Sequence, residues 1–423
     1  MMRAGTLLLI LATVVALPGG AQQAAKGDLS QFVTMGDGLA AGFADFQLHQ
    51  EFQVNSFPAL VAKQANTLFP QPLFQSPGIG YVPGFPSLPV RLPNTLQTTV
   101  RVAAGPVPSR PNGEGQPAQN VFVFNASVPN MTVSDAVNRP ASAPLIQKDM
   151  QQSTINMILS FPATVTGPNK PYWTQLQYVQ ELRPTFVILS LGYSDVMAAA
   201  AAGDPTMVTS LSSFRANYAA ILAGLKTTFA TMLIVNIPDP TDTAFYSTLA
   251  SASRILGAPV STLQQLYRLK SDDQIALPGL MAMATQLQGG QVGALPAASI
   301  VSGANVAALK AAVASLNGEI ASQAQAAGIP VYDVKSLFTQ LRAGGYVTGG
   351  GQTMTADFLG GLYSMSGFYP GSTIHGLIAN GVLTLINKTY GTNYPLVNVD
   401  GITAQDPTKR VSTQRVKRAE VTQ

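Results

Sequence analysis

The chain has 423 residues, 46% of them hydrophobic and 10% charged, with two histidines and no cysteine. The lack of cysteine excludes disulfides, thiolate nucleophiles and cysteine-ligated zinc, so a metal centre would need histidine and carboxylates alone. The net charge of +4 sits at the ends: Arg3 at one, and Lys409, Arg410, Arg415, Lys417 and Arg418 against Asp406 and Glu420 at the other. The intervening body is neutral, which argues against a phosphate-binding surface and a nucleic-acid partner.

In chain order, Arg3, the apolar run Thr6–Leu17 and the small residues Gly19-Gly20-Ala21 read as a secretory signal peptide over residues 1–21. Twelve apolar residues are too few to span a bilayer comfortably. The mature chain is therefore expected to be secreted, periplasmic or in the cell envelope, without an integral membrane span. Residues 22–401 are expected to form the functional domain. Short apolar runs at 32–35, 121–124, 186–191, 232–235 and 329–334 predict buried strands. Amphipathic stretches at 57–67, 172–182, 212–229, 305–327 and 373–390 predict helices between and after them. This alternation predicts an α/β fold, a parallel sheet covered by helices on both faces, with the ligand edge at the strand C-termini. Residues 69–120 are dense in Pro, Gly and Asn and predict a long surface excursion. Residues 239–304, after the fourth predicted strand, predict a helical cap near the ligand edge. The basic tail, residues 402–423, has no apolar periodicity and is expected to be disordered.

Four blocks carry the chemistry. The first strand runs into Gly36-Asp37-Gly38-Leu39-Ala40. The second block is Val121-Phe122-Val123-Phe124-Asn125-Ala126-Ser127, continuing to Asn130. The third is Leu189-Ser190-Leu191-Gly192-Tyr193-Ser194-Asp195. The fourth is Ser366-Gly367-Phe368-Tyr369-Pro370, ahead of the last predicted helix. In this order they resemble the SGNH/GDSL hydrolases, a family of esterases and lipases, and Asn236-Ile237-Pro238-Asp239 and Gly391-Thr392-Asn393-Tyr394-Pro395 resemble its secreted bacterial branch. The resemblance covers roughly residues 31–398. It implies a three-layer α/β/α sandwich of the flavodoxin-like type and an ancestral hydrolysis of carboxylic esters.

The same alignment removes the chemistry. Gly38 stands where the family has its serine nucleophile, Asn130 at the oxyanion-hole glycine, Ser194 at the asparagine, Ser366 at the aspartate and Tyr369 at the histidine. Glycine cannot form an acyl-enzyme. A tyrosine, with an ordinary pKa of about 10, is protonated at neutral pH and is a poor general base. The Gly38 and Asn130 amides and the Ser194 hydroxyl remain as oxyanion donors. Gly38 is expected to leave free volume there for a carboxylate or ester oxygen.

The expected ligand-binding set is therefore Asp37, Gly38, Asn130, Gly192, Ser194 and Tyr369, with no catalytic residue intact, no metal and no cofactor. Asp37 and Asp195 are expected to hydrogen-bond loop amides and fix the turns. His375, six positions after Tyr369, is expected to pack or face solvent, and His49 to cap or order a loop. Asn125, Asn130 and Asn387 each open a glycosylation sequon. The leading expectation is a secreted, degenerate family member that binds an ester, acyl or glycan ligand without cutting it. The alternatives are an esterase using other residues and a structural envelope protein with no small ligand.

Overall fold

The computed structural model describes residues 26–74, 78–83, 85, 122–144, 146–159 and 172–409. The expected signal peptide, most of the 69–120 excursion and residues 410–423 of the tail lie outside the described residues. Seven strands carry the argument: β1 (Phe32–Gly36), β2 (Phe186–Ser190), β3 (Thr231–Val235), β4 (Tyr246–Ser247), β5 (Gln274–Ala276), β6 (Ile300–Val301) and β7 (Val331–Tyr332).

The main sheet is parallel, in the order β1-β2-β3-β7. Phe32 pairs with Phe186 and Gly36 with Ser190, so β1 and β2 end level with each other. Every residue of these two strands is buried. That is why they read as unbroken apolar runs: a parallel strand is covered on both faces. The helices fall into two packed groups. Phe57–Gln64 lies against Ser372–Tyr390, while Val133–Asn138, Gln175–Leu182, Leu211–Lys226 and Gly303–Ala327 pack among themselves. Their ends are set locally. Thr174 and Gln177 form a reciprocal capping box, and Ser210 and Ser302 each accept the amide three residues on.

Three expectations need correction. Of the strand predicted at 121–124, residues 122–124 form no strand and residue 121 lies outside the described residues. Residues 124–128 instead fringe β1, with Thr34 N donating to Phe124 O (2.9 Å), Ala126 N to Thr34 O (2.9 Å) and Val128 N to Gly36 O (3.1 Å). The Phe124 and Asn125 amides both turn away to Pro70 O, which limits the pairing to the single bridge Thr34–Asn125. The cap is not purely helical. An antiparallel sheet in the order β4-β5-β6 accompanies the helices Leu249–Leu256, Val260–Tyr267 and Leu277–Gly289. Strands of two or three residues are too short to leave a periodic signal.

Residues 402–409, finally, expected in a disordered tail, are ordered. Asn398 caps the helix Val399–Gln405, and the Asp406 carboxylate then accepts from Thr373 N (2.6 Å) and Thr373 Oγ1 (2.7 Å) at the start of the last long helix. Its other oxygen accepts from Thr408 N and Oγ1, and the Thr408 hydroxyl lies 2.7 Å from Gly361 O. The anchor is polar rather than apolar, so hydrophobic patterning misses it. Among the described residues, no helix is long and apolar enough to cross a membrane.

Asp406 is fully buried, so removing it strands several donors. Asp406→Ala should lower the unfolding free energy by roughly 2–4 kcal/mol in urea titration. A change within a few tenths would show that the segment is undocked in solution.

Candidate functional site

The site is built at the C-terminal ends of β1 and β2. Asp37 follows β1 and caps the short helix Gly38–Ala41, its Oδ1 accepting from Leu39 N at 3.2 Å. Its Oδ2 reaches across to the loop after β2 and accepts from Tyr193 N (2.9 Å) and Ser194 N (3.2 Å). One carboxylate thus clamps two adjacent loops. Burial pushes its pKa up to about 7, opposed by the amides of Leu39, Ser194, Tyr193 and Gly192. Gly192 has φ +119°, and a Cβ there would lie 2.6 Å from Ile237 Cδ1, so both backbone and space require glycine.

Asp195 plays a parallel part. Its Oδ2 accepts from Val133 N at 3.0 Å, at the start of the helix Val133–Asn138. Burial lifts its pKa to about 7 as well, and the nearby Asp37 adds to the rise. Both aspartates bond loop amides, as their positions in the motifs lead one to expect.

Tyr369 decides what the site can do. Its loop is tied down on several sides: Ser364 N donates to Tyr369 O (2.9 Å), Tyr193 Oη to Phe368 O (3.0 Å), Phe245 N to Gly367 O (3.0 Å) and Met365 N to Asp45 Oδ1 (2.9 Å). Phe245 from the cap stacks on Phe368 with ring centroids 3.8 Å apart. The Tyr369 ring is held against Phe43 (4.8 Å) and edge-on to Tyr193 (5.9 Å). It lies directly over Gly38. A Cβ at position 38 would come within 2.7 Å of its Cε1 and Cζ, and closer still to its Oη. The free volume expected beside Gly38 is therefore not there, because the phenol ring fills it. Burial, then the neighbouring Asp37, hold the Tyr369 pKa well above the ordinary tyrosine value, so it cannot serve as a base.

The remaining motif positions are occupied differently. Ser366 is fully buried, with its Oγ 3.3 Å from Ser364 Oγ. The Ser194 hydroxyl is buried and has no hydrogen-bond partner among the described residues. Asn130 adopts the left-handed φ of +58°, a conformation glycine also favours, and its side chain donates to Tyr81 O at 2.8 Å. Gly38, Gly192, Ser194 and Tyr369 thus gather around Asp37 and Tyr193, while the Asn130 side chain is engaged by the segment at 78–83. Asn125 is buried and bonded to Ala40 O, and Asn387 holds Tyr394 through both ends of its amide, so these two sequons are used internally.

Neither histidine supplies the missing base. His375 is fully buried, and its Nδ1 accepts from Phe57 N at 3.2 Å. It thereby caps the helix Phe57–Gln64, whose own N-cap, Ser56, makes no side-chain cap bond. Burial lowers its pKa to about 3, so it is neutral. His49 sits at the N-cap of Gln50–Gln53 without a side-chain cap bond, edge-on to Phe52 at 5.1 Å. Burial lowers its pKa, against the opposing influence of Asp45.

Sequence reasoning missed the aromatic wall around Tyr369 and the strap over it. Ile79 pairs with Leu48 through two backbone bonds, and Phe85 meets Phe46 (5.0 Å) and Phe245 (6.1 Å). The Pro/Gly-dense stretch has no periodicity from which that docking could be read. Among the described residues, no group of three or more His, Asp or Glu could hold a metal ion. Compared with known proteins, the chain matches no family model, no curated protein and no solved structure.

The capping role gives His375 a pH signature. A base whose folded pKa is about 3 and whose ordinary pKa is 6.5 stabilises the fold above pH 6.5, and that stability is lost as pH falls towards 3. His375→Asn keeps an acceptor near Phe57 N and cannot titrate. Between pH 6 and 4 it should gain on wild type by about 1.4 kcal/mol per pH unit in denaturant titrations. Parallel curves would show that His375 is not buried neutral.

Proposed function

We propose that this chain is a degenerate SGNH/GDSL-type protein that does not cleave esters, exported from the cytoplasm, in which a former reaction centre has become a packed structural contact. The observation that carries the reading is the Tyr369 ring on Gly38. Support for the family assignment is the order of the four motifs and their placement: two at the ends of adjacent parallel strands, one on the fringe of β1 and one ahead of the last long helix. Support for loss of hydrolysis is chemical. Position 38 offers no nucleophile, Tyr369 is a buried neutral phenol, Ser366 bears no charge, and His375 is committed to Phe57. Among the non-catalytic readings, the filled space favours a structural role in the envelope over a binder that seats a carboxylate, acyl or glycan group on Gly38. A ligand in that place would have to displace a ring buried on every side.

The secreted protein should show no burst on p-nitrophenyl esters and no covalent label from serine-directed phosphonates. Stoichiometric labelling that quenches turnover would contradict the proposal. Restoration provides the complementary test. Gly38→Ser alone has no base to take its proton and collides with the Tyr369 ring. The triple change Gly38→Ser, Ser366→Asp, Tyr369→His removes the collision and rebuilds nucleophile, base and orienter, which act as a unit. Its esterase rate should exceed that of Gly38→Ser by roughly a hundredfold or more. A well-folded triple variant no better than wild type would contradict the motif alignment.

A further inference from the structure

The edge of the sheet opposite the candidate site carries two large apolar side chains in water. Leu68 is 83% exposed and Phe229 is 79% exposed. Leu68 lies beside the head of β1 and Phe229 just before β3. Leu68 lies between Thr67, whose hydroxyl donates to Ser30 O at 3.1 Å, and Phe69, whose ring stacks 4.9 Å from that of Phe32 at the head of β1. Phe229 lies two residues before β3, whose first amide bonds to Thr185 O beside the head of β2. Phe229 also has φ +60°, a left-handed conformation that glycine or asparagine adopts at lower cost than an aromatic. A strained backbone that presents a phenyl ring to water is not what folding stability favours.

Charge surrounds these two residues. Lys63, Lys226 and Lys388 occupy the last turns of helices that end at this edge, Arg183 follows the end of Gln175–Leu182, and Lys26 begins the described chain beside Gly27. All five are exposed, and the ion pairs of the described residues engage Arg139, Arg215, Arg254, Lys310 and Arg342 instead. The acidic groups nearby are Asp28, which is occupied by Ser30 N and Oγ, and Glu181. Complementing helix C-termini accounts for lysines in last turns, but not for the exposed Leu68 and Phe229. The segment before Lys26, which includes the apolar run Thr6–Leu17, joins the body on this same edge.

We propose that this edge docks on an anionic lipid surface, with Leu68 and Phe229 entering the headgroup region and the five cations facing the lipid phosphates. Basic residues near such a surface are attracted by the lipid charge, and apolar insertion supplies the remainder of a peripheral contact.

The test is co-sedimentation of the secreted protein with vesicles of phosphatidylcholine containing phosphatidylglycerol, against vesicles of phosphatidylcholine alone. Wild type should bind the anionic vesicles, and binding should weaken with salt. Leu68→Ser with Phe229→Gly should reduce partitioning about tenfold or more, the effect of two lost insertions of roughly half a side chain's burial each. Lys63→Glu with Arg183→Glu and Lys226→Glu should reduce it at least as far. Glycine suits the backbone at 229, so the first variant should melt no lower than wild type, which separates lost docking from lost folding. No binding to anionic vesicles, equal binding to neutral ones, or binding that survives either set of substitutions would overturn the proposal. The last result would place any lipid contact on the basic residues beyond Lys409.

Discussion

Tyr369 can lie where it does only because residue 38 has no Cβ. This one steric relation connects the sequence departures to each other. A serine at position 38 would supply a nucleophile, and its Cβ would hold an aromatic ring away. The tyrosine at position 369 offers no base, and it supplies the ring that fills the space. The two residues are one packing solution seen from both sides. The loop bearing Tyr369 is then fixed by Tyr193, Phe245 and Asp45, so the contact ties together the ends of β1 and β2, the cap and the last long helix. Interiors at close-packed density leave little room for partial versions of such an arrangement.

Beneath that contact, Asp37 does what the motif requires whether or not there is chemistry above it. It caps one helix and accepts from two amides of the loop after β2, which a buried site requires to be satisfied. The energetic consequence depends on pH. A carboxyl whose pKa rises from 3.8 to about 7 on folding favours the folded state below pH 3.8, and that contribution is lost as pH climbs through 7. Asp195 acts in the same direction and His375 in the opposite one. The fold therefore carries opposing proton linkages within a few residues of its site.

Much of the architecture was legible. The runs at 32–35, 186–191 and 232–235 became β1, β2 and β3 because a strand covered on both faces must be apolar throughout. The aspartates were legible because turn chemistry is local. What could not be read were hydrogen bonds between segments distant in the chain. His375 caps a helix that begins at Phe57, Asp406 anchors at Thr373, and Ile79 pairs with Leu48. None of these leaves a periodic trace. The largest misjudgement was of volume: a glycine in place of a serine suggests a vacancy, but a neighbour 331 positions away determines whether the vacancy exists.

The central claim is that positions 38 and 369 are energetically one unit, and a double-mutant cycle in denaturant titration measures this directly. In the wild-type background, Gly38→Ala pushes a methyl group into the Tyr369 ring and should destabilise by roughly 1–3 kcal/mol. In a Tyr369→Ala background the ring is gone, and the same change should be neutral or stabilising by up to about 1 kcal/mol, since alanine suits a helical position without strain. An equal cost in both backgrounds would contradict the account, because it would mean that Tyr369 does not occupy the space above Gly38.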